Sequence, residues 1–164
     1  MRCLTRTLIT AMLSTSLSGC AAAYVVLMTV TPPEGKEPDF TQSQVEEATG
    51  IVGAVAVRFG LRSNPNLDSL RRDSAEDDDY PYRIIASYVP DPNGESRHEH
   101  VRVTVGVYKD TGRLAVRIAK LPALWRTEFV RRLEEAVTQA LLERFPSHRI
   151  VVERWPEGPY VFAP

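Results

Sequence analysis

The sequence predicts an α+β domain with two helices packed on one face of a four-stranded, mixed but mainly antiparallel sheet. Three observations carry this. Val101, Val103, Val105 and Val107 alternate with Arg102, Thr104, Gly106 and Tyr108, the period of a strand with one buried face. Val45, Ala48, Val52, Val55 and Phe59 recur at spacings of three and four, as do Phe129, Leu133, Ala136, Val137, Ala140 and Leu141, which is the period of an amphipathic helix. The resulting order, α-β-β-β-α-β, ends in a strand–helix–strand crossover. Such a crossover should return the last strand parallel to the third, beside either the third or the first.

Taken in order, the chain opens with Arg2 and Arg6, an apolar run from Leu8 to Leu17, and Leu17-Ser18-Gly19-Cys20. Thr29 to Pro38, with Pro32-Pro33, Glu34-Gly35-Lys36 and Pro38, reads as an extended tether; the β-branched run Val25 to Val30 adds at most an edge strand. The first helix starts at Thr41. Thr41-Gln42-Ser43-Gln44 fits a capping box, and Gly60 stands where a left-handed residue commonly ends a helix. Gly50 and Gly53 inside this helix cost about 1 kcal/mol each relative to Ala, which predicts a close approach to the sheet.

Arg62 to Asp79 is polar and long for a loop, with a turn at Asn64-Pro65-Asn66 and a helical turn over Leu67 to Arg72. Tyr80 to Val89 is the first strand of the predicted meander. Pro90-Asp91-Pro92-Asn93-Gly94 turns the chain into the second, and Lys109-Asp110-Thr111-Gly112 closes the hairpin to the third, marked by Leu114, Val116 and Ile118. Pro122 suits a first helical position, so the second helix is expected from there to Phe145, with Arg131, Arg132, Glu134 and Glu135 facing outward. Pro146 ends it, and Ile150 to Trp155 reads as the last strand.

The N-terminal segment resembles the signal and lipobox of bacterial lipoproteins: positive start, apolar run, then small residues before a cysteine. The resemblance covers only residues 1–20 and implies an address. Residues 1–19 would be removed and the Cys20 thiol would carry the lipid. Ala21, in place of Asp, resembles an outer-membrane sorting signal facing the periplasm. The rival reading is an uncleaved inner-membrane anchor, because apolar character continues to Val30. On the lipoprotein reading, residues 20–39 are lipidated cysteine and tether and residues 40–164 form one domain.

The chain has 164 residues, 43% hydrophobic and 25% charged, which suits one packed domain. Removing residues 1–19, which hold Arg2 and Arg6 and no acid, takes the net charge from −1 to −3. That balance does not point to nucleic acid. The cysteines are Cys3 and Cys20, so after processing no thiol pair remains for a disulfide or a Cys-ligated zinc.

Sites for chemistry are few. His98-Glu99-His100, placed on a strand, would put two imidazoles on one face, and His148 is the only candidate third ligand; solvated histidines after a turn are the expected outcome. Glu76-Asp77-Asp78-Asp79 lacks the alternating acids, glycine and later Glu of a calcium loop. No G-x-S-x-G elbow and no glycine-rich phosphate loop occurs. Double-stranded-RNA-binding domains share the α-β-β-β-α order, but the required lysine cluster is replaced by Ala123-Leu124-Trp125-Arg126-Thr127-Glu128. The tail from Trp155 to Pro164 mixes aromatics with prolines. It is expected to fold back on the domain; exposed, Trp155, Tyr160 and Phe162 would anchor a partner.

From these readings the expected function is a non-catalytic, lipid-anchored envelope protein that binds an envelope component or supports an assembly, with the membrane as one partner and no cofactor. The alternative is a metal-binding or hydrolytic periplasmic domain using His98 and His100.

Overall fold

In the computed structural model the described residues are 23–33, 40–77, 80–122, 125–155 and, for the backbone alone, 158–162. They form three α-helices and seven strands. The strands are β1 (Tyr24–Thr31), β2 (Leu61–Ser63), β3 (Tyr82–Pro90), β4 (Val101–Tyr108), β5 (Leu114–Lys120), β6 (Arg149–Trp155) and β7 (Gly158–Phe162). The helices are α1 (Gln42–Arg58), α2 (Leu67–Glu76) and α3 (Glu128–Arg144), with a 3-10 turn at Glu95–His98.

The strand order is β2-β3-β4-β5-β1-β6-β7, and every neighbouring pair is antiparallel. The class is α+β as expected, but the four-stranded mixed sheet with two helices is corrected. The largest change is at β1. The stretch assigned to a tether contains an interior strand of the sheet, flanked by β5 and β6. Tyr24, Val26, Met28 and Val30 are wholly buried on one face, while Val25, Leu27 and Thr29 are half-buried on the other. A strand packed on both faces shows no clean polar alternation, so its pattern resembled a continuation of the apolar leader.

β1 also explains the fate of the last strand. β5 and β6 are each antiparallel to β1, so they run in the same direction, as the crossover rule requires. They are not neighbours, because β1 lies in the slot between them.

α1 and α3 lie side by side over the face of Tyr24, Val26 and Met28. Phe59 meets Phe129 edge to face at 5.7 Å, and the Thr138 hydroxyl lies 3.7 Å from Met28 Sδ. α1 begins as its sequence implied: Thr41 Oγ1 accepts from Gln44 N–H, and Gln44 Oε1 accepts from Thr41 N–H. Gly60 follows with φ +72°. α3 starts at Glu128 and not near Pro122, because Thr127 provides its cap by accepting from Val130 N–H.

The stretch read as a loop before β3 contains α2, which packs on the opposite face with Leu67 and Leu70 against Tyr82, Ile84 and Ala115. Beside it the pairing of β3 with β4 shifts register between Ile84 and Ala86. There Ile84 N–H donates to Ser74 Oγ at 2.9 Å, and Arg71 Nε and Nη2 donate to the Ile85 carbonyl at 2.9 and 2.6 Å. Backbone groups that the bulge removes from the ladder are thus satisfied from the helix.

The two helical glycines of α1 differ. A Cβ at Gly53 would lie 2.5 Å from Tyr88 Oη and 3.2 Å from its Cζ, whereas one at Gly50 meets nothing within 4 Å. Gly50→Ala should therefore stabilise the domain by up to about 1 kcal/mol through helix propensity. Gly53→Ala should destabilise it by about 1–3 kcal/mol through overpacking. Urea titrations of the two variants decide this, and equal effects would remove the proposed contact between α1 and the sheet.

Candidate functional site

The charged residues most deeply placed in the domain are not those that the sequence patterns singled out. Glu134, expected to face outward, is only 2% exposed on α3, and Arg154 on β6 is 9% exposed. Arg154 Nε donates to Glu134 Oε1 and Oε2 at 3.0 and 3.2 Å, and its Nη2 also donates to Oε1. Arg126, just before α3, places Nη2 3.0 Å from Oε2. The cluster thus joins α3 to β6 and to the segment before α3.

Its phase was visible. Glu134 is four residues from Val130 and from Thr138, on the buried stripe of α3, and Arg154 follows Ile150 and Val152 at period two. Both are charges in apolar positions, the mark of a partnered buried ion. The cluster borders a cleft of about 560 Å³, lined also by Glu135, Thr138, Leu142 and Glu143. Arg126 Nε is buried there with no hydrogen-bond partner among the described residues.

On the outer side of α3, Arg131 donates to Glu128 and Glu135. The hydrogen bond from Arg131 holds the Glu128 carboxyl below its ordinary range, and the bonds to Glu128 and then Glu135 raise Arg131. Burial pushes the phenols of Tyr82 and Tyr88 up from their usual value.

The histidines do not assemble. His98 ends the 3-10 turn, where its Nε2 accepts from Arg97 Nε at 3.0 Å. His100 precedes β4 with φ 46°, so the strand geometry that would align the two imidazoles is absent. His148 lies against Phe40 and Phe145 at the start of β6. Because β4 and β6 run in opposite directions, His148 and His100 occupy opposite ends of the sheet, a strand length of roughly 20–25 Å apart. Among the described residues no group of three or more His, Cys, Asp or Glu side chains is placed to hold a metal.

The tail folds back as a strand: β7 pairs antiparallel with β6, with Phe162 opposite Ile150 and Tyr160 opposite Val152. Trp155, at the end of β6, is exposed. Cys20 lies outside the described residues, as do Asp78 and Asp79 of the acidic run. No helix among the described residues is long and apolar enough to cross a membrane.

No protein family matches the chain, and no curated protein does. Among solved structures, the chain is similar to that of a phage SAM lyase in complex with S-methyl-5'-thioadenosine, at 14% identity over 88% of this chain and 92% of that one, with a TM-score of 0.41. The non-catalytic assignment rested only on missing motifs and is withdrawn. At that identity and TM-score the likeness carries no activity over to this chain.

Proposed function

We propose that the chain is a lipid-anchored protein of the bacterial cell envelope, attached through Cys20, whose domain is held directly on the membrane surface. The observation that carries this is the start of β1. Cys20 and Tyr24 are separated by Ala21, Ala22 and Ala23, so the leash extends at most about 14 Å. The same strand weighs against the uncleaved anchor. Tyr24 to Thr31 belongs to the sheet, and Leu8 to Ala23 falls short of the roughly 20 residues that a spanning helix needs. Ala21 favours the outer membrane, facing the periplasm. In cells fed radioactive palmitate, the wild-type protein should be labelled and sediment with membranes, and Cys20→Ala should lose both properties. Membrane retention of the unlabelled variant would favour the anchor instead.

A second reading concerns the cleft beside Arg126. Arg126 lines this cleft with its side chain 24% exposed, so a ligand carboxylate there would meet the guanidinium while an apolar part covers Leu142. Thermal-shift screening of small carboxylic acids and alcohols should return binders that Arg126→Met abolishes. Binders indifferent to that change would place the site elsewhere.

A further inference from the structure

The antiparallel order puts the start of β1, the start of β4 and the ends of β5 and β6 at one end of the sheet. Tyr24 stands opposite Lys120, and Val25 opposite Trp155. The last turn of α1 joins them, because Gly60 leads into Leu61, which pairs with Pro90 at the end of β3. The chain from Cys20 therefore enters the domain at this end.

Among the described residues, most of the exposed large hydrophobics lie at this end. They are Val57 (64% exposed), Leu121 (46%), Trp125 (68%) and Trp155 (73%), with Tyr80 alone at the opposite end, before β3. A soluble surface scatters such residues singly, and a cluster at one end marks a contact with something apolar. The exposed charge at this end is mainly basic. Arg58, Arg97, Arg102 and Arg132 are exposed at the entry end against Glu95 and Glu128, and Glu128 already holds Arg131. At the far end Glu76, Asp77, Asp110 and Glu143 are exposed together with Arg144 and Arg149, so that end is closer to balanced. The net acidity of the chain thus conceals a basic and aromatic end.

We propose that this end rests on the bilayer that holds the lipid, with Trp125, Trp155 and Leu121 seated at the headgroup level and the surrounding arginines facing anionic headgroups. Tryptophan favours that depth because its ring is apolar and its N–H remains wet. The short leash brings the strand ends to within reach of the interface, and the basic rim adds electrostatic attraction where anionic lipid is present. The lipid anchor and the protein surface then form two linked contacts, the second fixing the domain's orientation. This rests on attachment at Cys20, so its test supplies that attachment chemically.

Trp125 and Trp155 are the only tryptophans, so intrinsic fluorescence reports on this end alone. The mature chain, residues 20–164, has Cys20 as its sole thiol and can be coupled to a maleimide-headgroup lipid in vesicles of phosphatidylethanolamine and phosphatidylglycerol. Coupling should shift tryptophan emission to shorter wavelength. Lipids brominated high on the acyl chain should quench it, in both Trp125→Phe and Trp155→Phe. Omitting phosphatidylglycerol should weaken the quenching. Emission that stays water-like and unquenched on coupled vesicles would overturn the orientation. So would a blue shift without lipid quenching, accompanied by cross-linked pairs, which would mark the end as a contact between copies. Failure of palmitate labelling in cells would sink the native anchor while leaving this measurement intact.

Discussion

Replacing Glu134 by Ala should cost the domain about 3–5 kcal/mol, a large part of the roughly 5–15 kcal/mol by which a domain of this size is stable. The carboxylate takes Arg154 in a two-oxygen contact and Arg126 at 3.0 Å, and neither Glu134 nor Arg154 has appreciable access to water. Without it, two guanidinium groups remain close together in a poorly hydrated site. Their mutual repulsion adds to the desolvation cost that Glu134 normally offsets. Glu134→Gln should lose less, because the amide oxygen still accepts. Removing both charges, as in Glu134→Leu with Arg154→Met, should recover part of the loss, since well-packed apolar residues often replace a buried pair at little cost. Urea denaturation of the four proteins tests this. A Glu134→Ala loss below about 1 kcal/mol, the scale of an exposed pair, would mean that the cluster is hydrated and structurally minor.

This cluster shows where local pattern stops being informative. Leu133, Val137 and Leu141 of the helix stripe were legible, as were the capping box at Thr41 and the alternation of β4, because each is written in residues close together in the chain. Glu134 was assigned outward because charge usually is. Its partner Arg154 stands twenty residues further on, on another element. The same limit reduced α2 to a helical turn over Leu67 to Arg72, because it is a mostly polar helix that meets β3 through Arg71 and Ser74 at the bulge. For His98 and His100 the spacing offered a shared face only if the backbone were extended, and the 3-10 turn with the left-handed His100 does not provide one. Period-two spacing carries meaning only where the backbone is extended.

The boundary of the domain should prove the most consequential correction. A protein beginning at residue 40, where composition changes from tether to helix, should not fold, whereas one beginning at residue 23 should melt cooperatively. Starting at residue 40 removes β1 and with it Tyr24, Val26, Met28 and Val30, all fully buried. Each such side chain contributes roughly 1.5–3 kcal/mol by burial, so the four together match the scale of a domain's whole stability. The loss is also topological. β5 and β6 would face each other across an empty slot with both edges unpaired, and they run in the same direction, so they cannot close in the antiparallel register that each makes with β1. The expected outcome for residues 40–164 is an aggregating chain without a sigmoidal melt, because open central edges recruit other chains. A synthetic peptide of residues 23–33, added during refolding, should restore a cooperative transition by filling the slot. A cooperative melt from residues 40–164 alone would show that β1 is an accessory strand and not an integral part of the sheet.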